Sequence, residues 1–131
     1  MKNSSAGVKK ILVVDDEAAI CQVCRRALTS EGFEVDIAAN GEMALGMLRE
    51  KEYALILIDI RTPVMNGKEL YQFIIGEHPE LAERVIFTTG DVLGGDTQIF
   101  LEQASRPFLP KPFTPDELQT IVKETLAQRE K

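Results

Sequence analysis

Apolar residues arrive along this chain in two alternating rhythms, short unbroken runs and runs at helical spacing. Residues 10–16 (KILVVDD) form a β-branched run ending in acid, and Ile20, Val23, Cys24, Ala27 and Leu28 then recur at i, i+3, i+4, i+7 and i+8, the spacing of one helix face. Glu31-Gly32 closes that helix. Residues 33–38 (FEVDIA) predict a second strand, and Asn40 can cap a helix carrying Ala44, Met47 and Leu48. Residues 54–59 (ALILID) predict the third strand, continuous rather than alternating, as expected of a parallel strand covered on both faces. A third helix carries Leu70, Phe73 and Ile74 and stops before Pro79. Residues 84–89 (RVIFTT) predict a fourth strand, followed beyond the loop GDVLGGD by a weaker helix around Ile99 to Leu101. Phe108-Leu109 is a short fifth strand. Residues 114–117 (TPDE) then make a capping box with Pro at the first helical position, and Leu118, Ile121, Val122, Thr125 and Leu126 continue the face.

Five strand-helix units with short connections predict an α/β fold, a doubly wound parallel sheet with helices on both faces. With 131 residues, 44% of them hydrophobic, the chain suits a single core. The expected domain runs over residues 9–128, after a flexible lead-in at 1–8, with no internal repeat, linker or low-complexity tract. No apolar run approaches the roughly 20 residues that span a bilayer, and MKNSSAGVKK lacks the hydrophobic core of a signal peptide, so a cytoplasmic location is expected. Fifteen basic against 21 acidic residues give a net charge of −6. That argues against nucleic acid or membrane as a partner and favours a protein or a cation.

In open α/β sheets ligands bind beyond the carboxyl ends of the strands, where Asp15, Asp16 and Asp59 are expected. Any one of them alone would pass as a turn former. Three at one edge are another matter: if strands one and three are neighbours, like charges about 4 Å apart repel by roughly 4 kcal/mol at an effective dielectric near 20. A cation must offset that, and hard carboxylate oxygens at a partly open site suit Mg²⁺. Lys111 in PKPF, held between two prolines past the fifth strand, offers a second cation. Thr88 adds a hydroxyl on the same edge. Cys21 and Cys24 form a C-x-x-C, but they fall within a helix, no further Cys is present, and the single His, His78, lies in a His-Pro loop. They read as small packing residues rather than a metal or redox site.

Taken together, Asp15-Asp16, Asp59, Thr88 and Lys111-Pro112 resemble the receiver domain of two-component response regulators over about residues 9 to 128. TTGD and FLPKPF are most similar to receivers of hybrid sensor histidine kinases. The resemblance, rather than the periodicity, implies a flavodoxin-like sheet of strand order 2-1-3-4-5 with five helices. It implies that Asp59 accepts a phosphoryl group from a phosphohistidine, with a histidine kinase or phosphotransfer domain as partner. It further implies Mg²⁺ bound by Asp16, Asp59 and the backbone carbonyl of Arg61, with Asp15 acting through a metal-bound water. Lys111 and Thr88 would meet phosphoryl oxygens.

Phe108, three residues before the lysine, falls at the family's switch aromatic and reads equally well as plain core. If it switches, it alters the face of the fourth helix, fifth strand and fifth helix, through which a homodimer could also form. Such a domain assists its own phosphorylation and dephosphorylation rather than turning over a substrate. Arg61 and Gly90 occupy two positions that tune hydrolysis of the acyl phosphate in the family. The resemblance also implies a cis Lys111-Pro112 bond, which suits a Lys111 that must turn back toward Asp59 just before a helix begins, since cis costs only about 0.5–1 kcal/mol before proline.

A phosphohydrolase of the haloacid dehalogenase type also uses a strand-end Asp with Mg²⁺, but it needs a second Asp two positions later, where Arg61 cannot donate a proton. A degenerate receiver serving only as a binding module is disfavoured by the intact acids and lysine. A histidine kinase is excluded by the lack of a nucleotide-binding glycine motif.

Overall fold

Apolar runs and helical faces alternate in the computed structural model as βα units; it describes residues 8–90 and 95–130. Strands β1 (Lys10–Val14), β2 (Glu34–Ala38), β3 (Leu55–Asp59), β4 (Val85–Thr89) and β5 (Phe108–Pro110) alternate with helices α1 (Ala18–Thr29), α2 (Gly41–Glu50), α3 (Gly67–Glu77), α4 (Gly95–Ala104) and α5 (Pro115–Glu130). All strands pair in parallel, in the order β2-β1-β3-β4-β5. The lead-in at residues 1–8 lies, apart from Val8, outside the described residues, as do residues 91–94 of the GDVLGGD loop.

Successive residues of a strand point to opposite faces, and the unbroken apolar runs feed two cores. Leu12, Val14, Ile56, Ile58, Val85 and Phe87 face α2 and α3 through Ala44, Leu45, Leu48, Leu70, Tyr71 and Ile74, with Phe100 and Leu101 of α4 packed alongside. Ile11, Val13, Leu55, Leu57, Ile86 and Leu109 face α1 and α5 through Cys24, Leu28, Leu118, Val122 and Leu126. Every residue of β3 is buried, as its lack of alternation requires.

Helix starts follow the capping chemistry. Asn40 accepts from Met43 N, and Thr114 with Glu117 forms the reciprocal box. A second box, Asn66 with Glu69, starts α3. One element was not expected: besides the five helices, Pro79–Ala82 makes a single helical turn. Pro79 ends α3 as anticipated, yet proline also suits a first helical position, so the chain re-enters helix for one turn and buries Leu81.

Candidate functional site

The register of β1 against β3 pairs Val14 with Ile58, so the next residues, Asp15 and Asp59, emerge side by side at the carboxyl edge of the sheet. On the other side Asp59 pairs with Thr88 of β4. Lys111 follows β5 directly, its backbone N–H bound to Thr89 O at 3.0 Å. Its ammonium reaches across the edge: Lys111 Nζ lies 2.9 Å from Asp15 Oδ2, 3.1 Å from Asp59 Oδ2 and 2.7 Å from Glu17 Oε1. The second oxygens of the two aspartates are also tied down, Asp15 Oδ1 by Glu17 N at 2.8 Å and Asp59 Oδ1 by Arg61 N at 3.1 Å. Asp15, Asp59 and Thr88 are buried.

Burial raises the pKa of Asp15 above its ordinary 3.8, against the pull of Lys111 and the Glu17 N–H. Burial would lower that of Lys111, but hydrogen bonds to Glu17, Asp15 and Asp59 outweigh it and lift the ammonium above its ordinary 10.5. Oxygens of Asp15, Glu17 and Asp59 all lie within 4.8 Å of one another. Three carboxylates therefore face one ammonium, and the excess negative charge on hard oxygens fits a divalent cation such as Mg²⁺. Asp16, expected to converge with the other acids, is exposed and stands outside this trio. Glu17 takes the third place; its only sequence signal was its position directly after the Asp-Asp pair.

Beyond Asp59 the chain turns sharply. Ile60 N donates to Thr88 O at 3.0 Å and Gly67 N to Ile60 O at 2.9 Å. A β-carbon at Gly67 would stand 2.7 Å from Ile60 Cα and 2.9 Å from Asp59 O, so only glycine allows α3 to start so close to the acid's own backbone. The buried Thr62 hydroxyl donates to Met65 O at 3.0 Å. Arg61 projects outward as an exposed side chain.

Phe108 pairs with Phe87 across β4 and β5 and is half-buried against the core that holds an aromatic trio, Tyr71, Phe87 and Phe100, packed edge to face. The Lys111-Pro112 peptide bond is cis. Both cysteines are free thiols. Burial pushes the Cys24 thiol up to about 12, while Cys21 donates through Sγ to Asp15 O at 3.3 Å. Cys24 packs in the core under α1, whereas Cys21 is half-buried beside the Asp15 backbone.

The profile of the response regulator receiver domain matches residues 11–123. A probable transcriptional regulator, ycf27 of Porphyra purpurea, is 33% identical over 123 residues, 94% of this chain and 49% of its own length. A CheY-like response regulator receiver domain protein from Methanospirillum hungatei JF-1 superposes with a TM-score of 0.85 at 32% identity, covering 94% of this chain and 97% of that one. The receiver domain of sensor histidine kinase PA1611 from Pseudomonas aeruginosa PAO1, solved with a magnesium ion coordinated in its active site cleft, gives 0.80 at 30% identity, covering 91% and 98%. The chain spans about half the length of the curated relatives it matches. No helix among the described residues is long and apolar enough to cross a membrane. A profile match over most of the chain, joined to near-complete superposition on solved receivers, makes this chain a member of the response regulator receiver domain family of two-component signalling.

Proposed function

We propose that this receiver takes a phosphoryl group from a phosphohistidine onto Asp59, the donor being a histidine kinase or a phosphotransfer domain, and so acts as a switch in a two-component phosphorelay. One observation supports this above the rest: Lys111 Nζ sits 3.1 Å from Asp59 Oδ2 and 2.9 Å from Asp15 Oδ2. A cation is thus held beside the carboxylate that would carry the acyl phosphate.

An Asp59 oxygen attacks phosphorus in line with the leaving nitrogen. The new P–O bond forms as the P–N bond breaks, and its electron pair stays on the imidazole of the donor. Little covalent help is needed, so the residues act by position and charge. Arg61 N holds the other Asp59 oxygen and fixes the nucleophile's plane. Lys111 neutralises charge gathering on the phosphoryl oxygens, and Thr88, opposite Asp59 in the register, donates its hydroxyl to one of them. Mg²⁺, when bound by the carboxylates of Asp16 and Asp59 and the backbone carbonyl of Arg61, with Asp15 acting through a metal-bound water, would supply further neutralisation of the transferring group. Movement of Thr88 toward the phosphoryl group would then free space for Phe108, altering the face of α4, β5 and α5 and any homodimer built on it. Asp59 is itself the substrate here, so the domain turns over nothing else.

The test is direct. Incubate the protein with Mg²⁺ and acetyl phosphate and weigh it intact: wild type should gain one phosphoryl group and Asp59→Asn none. Equal gain by both would remove Asp59 from its role.

A further inference from the structure

An ammonium has three N–H donors and no acceptor, and in Lys111 all three are engaged, by Asp15, Asp59 and Glu17. It can bind a phosphoryl oxygen only when one of these acceptors leaves. Asp59 is buried, and its second oxygen accepts from Arg61 N. Asp15 is 3% exposed, and its second oxygen is tied to a backbone N–H. Glu17 differs from both: its side chain is 59% exposed, and although it occupies the N-cap of α1 it makes no capping hydrogen bond. Its carboxylate can turn into water and be solvated there, and the Lys111 N–H it gives up is then open to the phosphoryl oxygen.

We infer that Glu17 is a positioning residue that holds Lys111 in its unphosphorylated place and must release it before the ammonium can meet the incoming phosphoryl group. This rests on the reading of Asp59 as phosphoacceptor. At 2.7 Å the contact is the shortest of the three, and it joins residues 94 apart in sequence, tying the start of α1 to the turn after β5. Glu17 therefore competes with the phosphoryl oxygen for the same N–H. An amide in its place would still accept from the ammonium but would lose the attraction between two full charges, so it competes less well.

Three full-length proteins decide the matter: wild type, Glu17→Gln and Glu17→Asp, each followed by intact mass during labelling with acetyl phosphate at saturating Mg²⁺. Glu17→Asp keeps the charge but shortens the reach by one C–C bond, about 1.5 Å. Both variants should label about two- to fivefold faster than wild type, the effect of releasing one exposed ion pair. Their melting temperatures should fall by no more than about 5 °C, the worth of the same pair in the unphosphorylated protein, and Glu17→Asp should reach half-saturation at the Mg²⁺ concentration of wild type. A Glu17→Asp protein that labels at the wild-type rate while Glu17→Gln is faster would show charge repulsion of the donor instead, and overturn the inference. So would two variants no faster than wild type, or a Glu17→Asp protein that binds Mg²⁺ more weakly and labels more slowly, which would turn Glu17 toward the metal. If wild type itself takes no label, the phosphoacceptor reading fails and the inference with it.

Discussion

The N–H of Gly41 donates to the carbonyl oxygen of Met65 at 3.0 Å, and a β-carbon on that glycine would stand 2.6 Å from the same oxygen. The first residue of α2 is thus seated on the loop that leaves Asp59. Thr62 binds the same carbonyl from within the loop. Between them Val64 sits at φ 68, where a β-branched side chain is costly. Such a conformation persists only where its surroundings over-determine it, and the two bonds to Met65 do so here.

Substituting Gly41→Ala should therefore push the loop away from α2. Met65 O is backbone and cannot yield as a side-chain tip would, so a loss of about 1–3 kcal/mol is expected, the usual result of overpacking. A lower urea midpoint with an unchanged slope would register it. Labelling of Asp59 should slow as well, because Arg61 N, which holds the nucleophile, belongs to the same loop. Wild-type stability in this variant would show that the loop is free to retreat.

A second expectation concerns pH. Tyr53 is buried and donates to Asp36 Oδ2 at 2.7 Å, with Lys51 Nζ 3.2 Å from the same oxygen. The Tyr53 hydrogen bond, with help from Lys51, holds the Asp36 carboxyl below its ordinary 3.8. A depressed carboxyl contributes stability that is complete above the unfolded value and lost as pH falls through the folded one. Tyr53→Phe should cost about 1.5 kcal/mol at neutral pH, the low end for a hydrogen bond to a charged group. The gap between variant and wild type should shrink as denaturation is repeated below pH 3.8. A gap that is constant across that window would mean that Asp36 is not the partner that matters.

How much of this was readable beforehand follows from the reach of each interaction. Strand β3 was legible because covering both faces leaves an unbroken apolar run, and α5 because its capping box lies within four residues. The turn at Pro79–Ala82 was not, since a proline reads as a stop and as a first helical residue alike. Asp15, Asp59, Thr88 and Lys111 could be placed because each ends a strand, and the strand order then brings them to one edge. Glu17 lay hidden because its partner is 94 residues away and its own neighbourhood reads as a helix start. The exposure of Asp16 depends on which way a residue turns just past a strand, and apolar spacing does not report that.

Mg²⁺ supplies a third test. A ligand that binds only the folded state stabilises it by about 2.7 kcal/mol at a hundredfold excess over its dissociation constant, so melting temperature should climb with added Mg²⁺. Asp16 is exposed and outside the Lys111 cluster, so Asp16→Ala should change metal-free stability by no more than about 0.5 kcal/mol. If Asp16 serves the metal, this variant should lose most of the Mg²⁺-induced rise. A full rise would restrict the metal to Asp15 and Asp59.

Replacing Lys111 separates its structural work from the metal's. The lysine side chain is 10% exposed and those of Asp15 and Asp59 are 2% and 7%, so these are buried ion pairs. Removing one member of such a pair costs about 3–5 kcal/mol, because the remaining charge is left uncompensated. The raised pKa of Lys111 makes its contribution complete below 10.5 and lost only as pH climbs through the higher folded value, so neutral pH shows all of it. Lys111→Met keeps most of the apolar stem and removes the charge. Without divalent cation it should unfold at distinctly lower urea than wild type. With Mg²⁺ it should regain more stability than wild type gains, because the metal no longer shares the oxygens of Asp15 and Asp59 with an ammonium. Equal gains in the two proteins would mean that lysine and metal occupy the edge independently, and that the three-carboxylate cluster is not their common ground.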